Sequence, residues 1–296
     1  FFPKILETLE CAPAVYENTH RFYDAVDWLS LMLTGRETHN PCMAGLKAYW
    51  SRENGFPSND FFAAVHPGLA GIIGTKVCPE VAYVDGVAGY ITAEAAKLTG
   101  LLEGTVVAIP QGDCHAAMPA LNVTGDGDCF LVVGTSSVML ANTPKPVAVP
   151  GICAQVEGGV VADLCTMEAG QAGLGDCFDW CVKNCVPGRY ESEAQERGIS
   201  VHTLLQEKAA KQRPGESRLV ALDWLNGNRS ILNDSMLTGM ILGLTLATKP
   251  EDIYRALVEA CDFETMVSAQ YTSACMQRRD RYMVDHSSLL IAAFDG

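Results

Sequence analysis

The sequence predicts a two-domain protein of mixed helix and strand. Three observations carry that expectation. The chain has 296 residues, and globular domains run to about 100–200 residues each. Segments with helical spacing and short β-branched runs both occur along it. Its character changes after Leu121, where Gly125-Asp126-Gly127-Asp128 forms a turn cluster, so a boundary is expected near Asn122–Asp128. The chain is 48% hydrophobic and 19% charged, which suits a packed core and excludes a disordered chain.

The elements follow in order. Phe22, Val26, Leu29 and Leu33 recur at helical spacing, and Gly35 stands where that helix would end. Tyr16 and Trp28 are expected to join the same buried region. Asn54–Asp60 is polar and carries Gly55, Pro57 and Ser58, the marks of a loop. Ala93–Leu98 reads as a short helix stopped by Gly100, and Thr105–Pro110 (TVVAIP) as a short buried strand. Phe130–Val133 and Val138–Ala141 flank Gly134-Thr135-Ser136-Ser137, the pattern of a hairpin with a small-residue tip. Val160–Leu164 is a further strand candidate, Gly170–Val186 and Val201–Lys211 read as helices, and Arg218–Leu222 as a strand. In Met236–Ala247, Gly239 and Gly243 are placed to let another backbone approach closely. Asp252 to about Met276 reads as a long helix. No short-period repeat occurs.

Composition excludes several functions. Acidic residues number 35 against 21 basic, a formal net charge of −14. Phosphate backbones and anionic membrane surfaces repel such a chain, so nucleic acid is not an expected partner. No apolar run approaches the roughly 18 residues needed to span a bilayer, and no membrane partner is expected. Twelve cysteines occur without a CxxC pair, and no basic segment leads into an apolar core. A reduced, cytoplasmic compartment is the expectation. Cys177, Cys181 and Cys185 fall on one helical stripe, either a buried thiol row or a metal site, and the buried row is preferred. The P-loop, the dinucleotide glycine fingerprint, the serine-nucleophile elbow and the zinc-protease helix motif are all absent.

Four polar features could carry chemistry. Asp113 follows TVVAIP within Gln111-Gly112-Asp113-Cys114-His115. A carboxylate at the end of a parallel strand is where α/β enzymes place catalytic groups, and Gly112 would let a ligand approach; otherwise Asp113 caps a helix starting near Ala116. His115 reads as a hydrogen-bonded structural histidine. The tip Gly134-Thr135-Ser136-Ser137 offers backbone N–H groups and three hydroxyls to phosphate oxygens, or is a plain polar turn. Glu168, among small residues, either faces a polar ligand or favours a helix N-terminus. Lys47 is a lone cation in Cys42-Met43-Ala44-Gly45-Leu46-Lys47, where a lysine ordinarily extends to solvent.

Taken together these residues resemble the FGGY family of carbohydrate kinases, and within it the branch that phosphorylates L-ribulose. One family signature is filled by Gly239, Ile241, Gly243, Leu244, Asp252, Ile253, Ala256, Leu257, Val258 and Glu259. Another is met in part by Pro3-Lys4-Ile5-Leu6, with Glu7 where tryptophan is expected. Gly112–His115 resembles the catalytic-aspartate motif and Gly134–Ser137 the second phosphate loop. Cys42–Trp50, Val149–Cys153, Glu168–Asp176 and Ala221–Ser230 resemble stretches of that branch.

The resemblance implies a two-domain ribonuclease H/actin-like ATPase fold, incomplete at both ends. Residues 1–124 would be the latter part of a sugar-binding domain. Residues 125–296 would be the first part of an ATP-binding domain, with a divergent tail over 266–296. It implies Asp113 as general base toward the sugar hydroxyl, Lys47 and Glu168 on the ribulose hydroxyls, and Gly134, Thr135 and Ser136 on phosphate oxygens. ATP and Mg²⁺ are the implied cofactors and a sugar the implied partner, with no resident metal site assigned to side chains. A homodimer is left open. The family's opening DxGTxS loop and its glycine-rich adenine motif have no counterpart here, and Arg278-Arg279-Asp280-Arg281 fits no family pattern. The expectation is therefore of a central piece of a kinase, inactive alone, with a non-catalytic remnant or another sugar or polyol kinase (xylulose, glycerol) as alternatives.

Overall fold

The computed structural model describes residues 1–260. Contacts divide it into two compact units: Phe1–Phe130 with Leu140–Glu168, and Leu131–Met139 with the chain from Ala169 onward.

The first unit opens with helices α1 (Phe2–Cys11), α2 (Pro13–Asn18), α3 (Ala25–Thr34), α4 (Pro41–Ala48) and α5 (Asn59–Val65). A single turn, α6 (Ile72–Thr75), precedes strand β1 (Val87–Tyr90), helix α7 (Ala93–Thr99), strand β2 (Val106–Ala108) and helix α8 (Asp113–Ala120). Local chemistry explains the ends. Asn40, Ser58 and Thr92 accept backbone N–H groups as N-caps of α4, α5 and α7. Gly35 and Gly100 close α3 and α7 in the left-handed conformation that glycine adopts without strain. The core gathers Phe2, Ile5, Tyr16, Phe62, Leu69 and Ile72.

Strands β3 (Cys129–Val133), β4 (Ser137–Thr143), β5 (Ala154–Glu157) and β6 (Cys165–Gln171) form a sheet in the order β3-β4-β6-β5. β5 and β6 are antiparallel, with Ala154 opposite Glu168 and Glu157 opposite Cys165. In the second unit follow α9 (Gly175–Cys185), α10 (Gly188–Arg197), α11 (Val201–Ala209), the antiparallel pair β7 (Val220–Leu222) and β8 (Met240–Leu242), and α12 (Pro250–Ala260). Cys181, Tyr190, Leu204, Leu205, Tyr254 and Leu257 make its core. A Cβ on Gly239 would lie 2.8 Å from the Leu222 carbonyl oxygen, and one on Gly243 2.7 Å from that of Arg218. The close backbone approach expected of this pair is therefore real.

Several expectations need correction. Trp28 and Leu29 are about half exposed, and α3 buries Asp27 and Ser30 instead, because its inward face serves polar partners described below. Thr105–Pro110 supplies only the short β2, antiparallel to β1, with Val106 exposed. It is neither parallel nor fully buried. Val160–Leu164 is the turn between β5 and β6, not a strand: Gly158 takes a φ of +61° and its N–H donates to the Leu164 carbonyl. Gly170–Val186 is not one helix, since β6 continues to Gln171 and α9 begins at Gly175. The helix expected near Ala116 begins at Asp113. The α10 helix had no counterpart in the sequence reading. The continuation of α12 toward Met276, the tail over 266–296 and Arg278–Arg281 lie outside the described residues.

Candidate functional site

In the first unit, α4 is the keystone. Gly45 on α4 faces β5, where an added Cβ would lie 3.3 Å from Val156 Cγ1. A Cβ on Gly159 would lie 3.0 Å from the Cys42 Cα. Small residues thus let the helix lie directly on β5, and Cys42, Met43 and Val156 form a local core. β6 is the partner of β5, so the same packing brings Glu168 to α4. Glu168 is almost wholly buried on β6, and its carbonyl accepts the Cys153 N–H at 3.0 Å. It lies on a strand, so the alternative of a helix N-terminus falls.

α8 completes the corner. A Cβ on Gly112 would lie 2.8 Å from the Met43 methyl, so the space beside this glycine is taken by α4 and not by a ligand. Asp113 follows as the first residue of α8, exposed, with Oδ1 accepting the Cys114 N–H at 2.8 Å. Its charge is favourable in the first helical turn whatever else it does. His115, two residues on, is buried, with Nε2 3.5 Å from Glu168 Oε2 and Nδ1 3.4 Å from Cys114 Sγ. Burial holds its imidazole below the ordinary value, against the pull of the Asp113 charge.

Lys47, in the last turn of α4, is half exposed with Nζ 3.5 Å from Asp24 Oδ1. Cys42 reports how these groups converge. Burial pushes its thiol up to about 12, the Gly112 backbone opposes that, and the Cys114, Glu168 and Lys47 charges all act on it. The printed contacts tie α8 to β6 through His115 and Glu168, and α8 to α4 through Gly112 and Met43. Sequence reasoning missed the polar support behind α4, Asp27 with His39 and Asn40, because its members are apart in the chain and Asp27 lies in a helix read as apolar.

In the second unit, the tip between β3 and β4 is Gly134–Ser136. Gly134 N–H donates to the Ser136 carbonyl at 3.0 Å, closing a tight turn. Leu174 and Gly175, at the start of α9, donate to the Thr135 and Gly134 carbonyls at 2.8 and 3.0 Å. The tip is thereby moulded onto α9, with Gly134 and Thr135 exposed and Ser136 half-buried. Ser137 is not part of it. Ser137 is the buried first residue of β4, so two hydroxyls are presented and not three. Gly170 on β6 has no room for a side chain, because its Cβ would meet the Ser137 carbonyl oxygen. Nearby, Gln171 Nε2 donates to Asp223 Oδ1 at 3.2 Å and the Gly170 N–H to Ser230 Oγ at 3.1 Å. These residues border a cavity of about 400 Å³. Asp223 and Ser230 lie in a stretch the sequence marked, without giving either a role. The thiol row is a buried one: Cys177 and Cys181 are buried, and burial pushes them up to about 11 and about 12.

The C-terminal domain of the FGGY family of carbohydrate kinases matches residues 129–284. The chain belongs to that family. It is 44% identical over 265 residues to a ribulokinase of Bacillus licheniformis, covering 90% of this chain and 48% of that protein. It is 45% identical over 262 residues to a ribulokinase of Halalkalibacterium halodurans, covering 88% and 46%. The chain spans about half the length of the curated relatives it matches. Among solved structures, the xylulose kinase from Rhodospirillum rubrum superposes with a TM-score of 0.71 at 23% identity, over 96% of this chain and 52% of that one. The fold is thus the actin-like one of FGGY kinases. Among the described residues, no helix is long and apolar enough to cross a membrane.

Proposed function

We propose that this chain carries sugar- and phosphate-binding elements of a cytoplasmic, ATP-dependent kinase whose substrate is a ketopentose, L-ribulose first. Residues 1–124 are assigned to the sugar-binding domain and 125–296 to the ATP-binding domain. The observation that supports the reading is that the helix opened by Asp113 meets both other elements, His115 lying 3.5 Å from Glu168 and Gly112 packing on Met43 of the helix that carries Lys47. Lys47 and Glu168 offer a donor and an acceptor fixed on a helix and a strand, as recognition of sugar hydroxyls requires. Asp113, exposed and held by its neighbour's N–H, is free on its other oxygen to take the proton of the acceptor hydroxyl.

ATP with Mg²⁺ supplies the phosphoryl group and neutralises its charge. The tip fits a phosphate: Gly134 presents no Cβ, and Thr135 and Ser136 present hydroxyls on an exposed turn held in shape by α9. Mg²⁺ would be held chiefly through the phosphate oxygens whose charge it neutralises. The two ribulokinase relatives favour L-ribulose over the other family sugars.

A panel of L-ribulose, xylulose, glycerol and gluconate tests this, with binding to the chain followed by calorimetry and turnover of a full-length kinase that carries it followed by ADP release. Preference for L-ribulose is expected. Preference for glycerol or xylulose would remove the substrate reading and leave the family intact.

A further inference from the structure

Two carboxylates three residues apart, one just before α3 and one on its inward face, both face α4 or its N-cap. Asp24, which precedes α3, faces Lys47 in the last turn of α4 at 3.5 Å. Asp27 serves the other end. Its Oδ1 accepts the Asn40 backbone N–H at 2.9 Å and the Asn40 side-chain N–H at 2.7 Å. Its Oδ2 pairs with His39 Nδ1 at 2.9 Å. Asn40 in turn caps α4, its Oδ1 accepting the Met43 N–H at 2.8 Å. Asp27, His39 and Asn40 are all at most 2% exposed. His39 is enclosed by the edges of Phe1 and Phe56, and its Nε2 has no hydrogen-bond partner among the described residues.

We propose that Asp27 is a positioning residue: with His39 and Asn40 it clamps the N-terminus of α4, and so fixes where Lys47 stands. The inference rests on the reading of Lys47 as a sugar-binding residue. Three bonds to one buried carboxylate far exceed what capping a helix of eight residues needs, since Asn40 alone does that. They orient α4 as a rigid piece against β5, where Gly45 and Gly159 leave no slack. Lys47 lies two turns from the clamp, so a small tilt at Asn40 moves its ammonium group further than the clamp itself. An asparagine at position 27 keeps the shape but offers one acceptor oxygen and an NH₂ donor in place of the second oxygen. His39 Nδ1 must then accept, which leaves a buried Nε2–H with no partner.

The decisive variant is Asn40→Ser, which keeps a good helix cap and severs the side-chain link to Asp27. Asp27→Asn serves as the second. L-ribulose affinity of the purified chain is measured by calorimetry, stability by urea titration, and exchange of the α4 amides by mass spectrometry. Asn40→Ser is expected to weaken L-ribulose binding about three- to tenfold with the urea midpoint nearly unchanged. Combined with Lys47→Ala it should bind as Lys47→Ala does alone, because both act through one group. Unchanged affinity, or losses that simply add, would overturn the clamp. If the unaltered chain binds no L-ribulose, the reading of Lys47 fails instead. The clamp is then judged on α4 exchange, where faster exchange at constant global stability upholds it and unchanged exchange refutes it.

Discussion

The corner around α4 and the tip between β3 and β4 are made by opposite means. The corner is a side-chain construction: Asp27, His39, Asn40, His115 and Glu168 are buried, Lys47 is half exposed and Asp113 exposed. The tip is a backbone construction: its shape comes from carbonyls taken up by the first amides of α9 and from glycines that admit close approach. A polyhydroxylated sugar must be told from its isomers, which takes several fixed side chains. A phosphate is the same on every nucleotide, so a turn of main chain suffices. The corner should therefore fail when polar side chains are removed, and the tip when side chains are added.

The largest effect tests whether the corner does chemistry or only binds. In a full-length kinase that carries this chain, Asp113→Asn should lower turnover about 10²–10⁴-fold, the usual worth of a general base, with L-ribulose affinity retained. Asp113 is exposed and bonds only to its neighbour's N–H among the contacts described, so the variant should fold normally. Near-normal ADP release would take Asp113 out of the role.

The next effect probes how well the corner excludes solvent. At pH 8 the Cys42 thiol, buried and pushed up to about 12, should alkylate far more slowly than exposed Cys11. Peptide mass spectrometry after timed iodoacetamide treatment measures this. Equal rates would mean that the corner opens freely and that its geometry cannot set a sugar's orientation.

The tip is broken from the other side. Gly170→Ala drives a Cβ into the Ser137 carbonyl, a main-chain atom that cannot turn away, and should destabilise the chain by about 1–3 kcal/mol. Gly188→Ala, at the first position of α10 with open space around it, should instead gain up to about 1 kcal/mol from helix propensity. Urea midpoints that shifted alike for the two would show that glycine entropy, and not the close approach, governs the tip.

The same contrast explains what was legible in the sequence. Local grammar survived: Gly35 and Gly100 ended their helices, the β3–β4 hairpin formed around its small-residue tip, and Gly239 and Gly243 met neighbouring main chain. Non-local chemistry did not. Cys165–Gln171 has few β-branched residues and became a strand because β4 and β5 flank it. The apolar Val160–Leu164 became a turn because Gly158 reverses the chain there. The α10 helix buries only Tyr190 and Ala194, too little to print a periodic stripe. Asp27 was invisible because its partners lie 12 and 13 residues on. Of the site, the backbone-built tip was readable as a motif, while the arrangement of the corner needed the fold.

The smallest effect separates a buried polar group from an exposed one within the first unit. Glu37 stands two residues before His39 and accepts from Tyr23 and, at 2.9 Å, from Arg21 Nε. The Tyr23 hydrogen bond holds its carboxyl below the ordinary glutamate value, helped by Arg21 and opposed by burial. A folded-state value lowered in this way means that the unfolded chain binds the proton more readily. The stabilisation is complete above the ordinary glutamate value and is lost as pH falls through it to the folded value. Glu37 is partly open to solvent, so the contribution should stay below about 1 kcal/mol and shrink with added salt. Glu37→Gln should therefore flatten the acid limb of the stability curve slightly, and less so in 1 M salt. If Glu37→Gln weakened L-ribulose binding as much as Asn40→Ser does, the clamp on α4 would extend to the surface, and the distinction between a buried positioning network and an exposed stabilising one would fall.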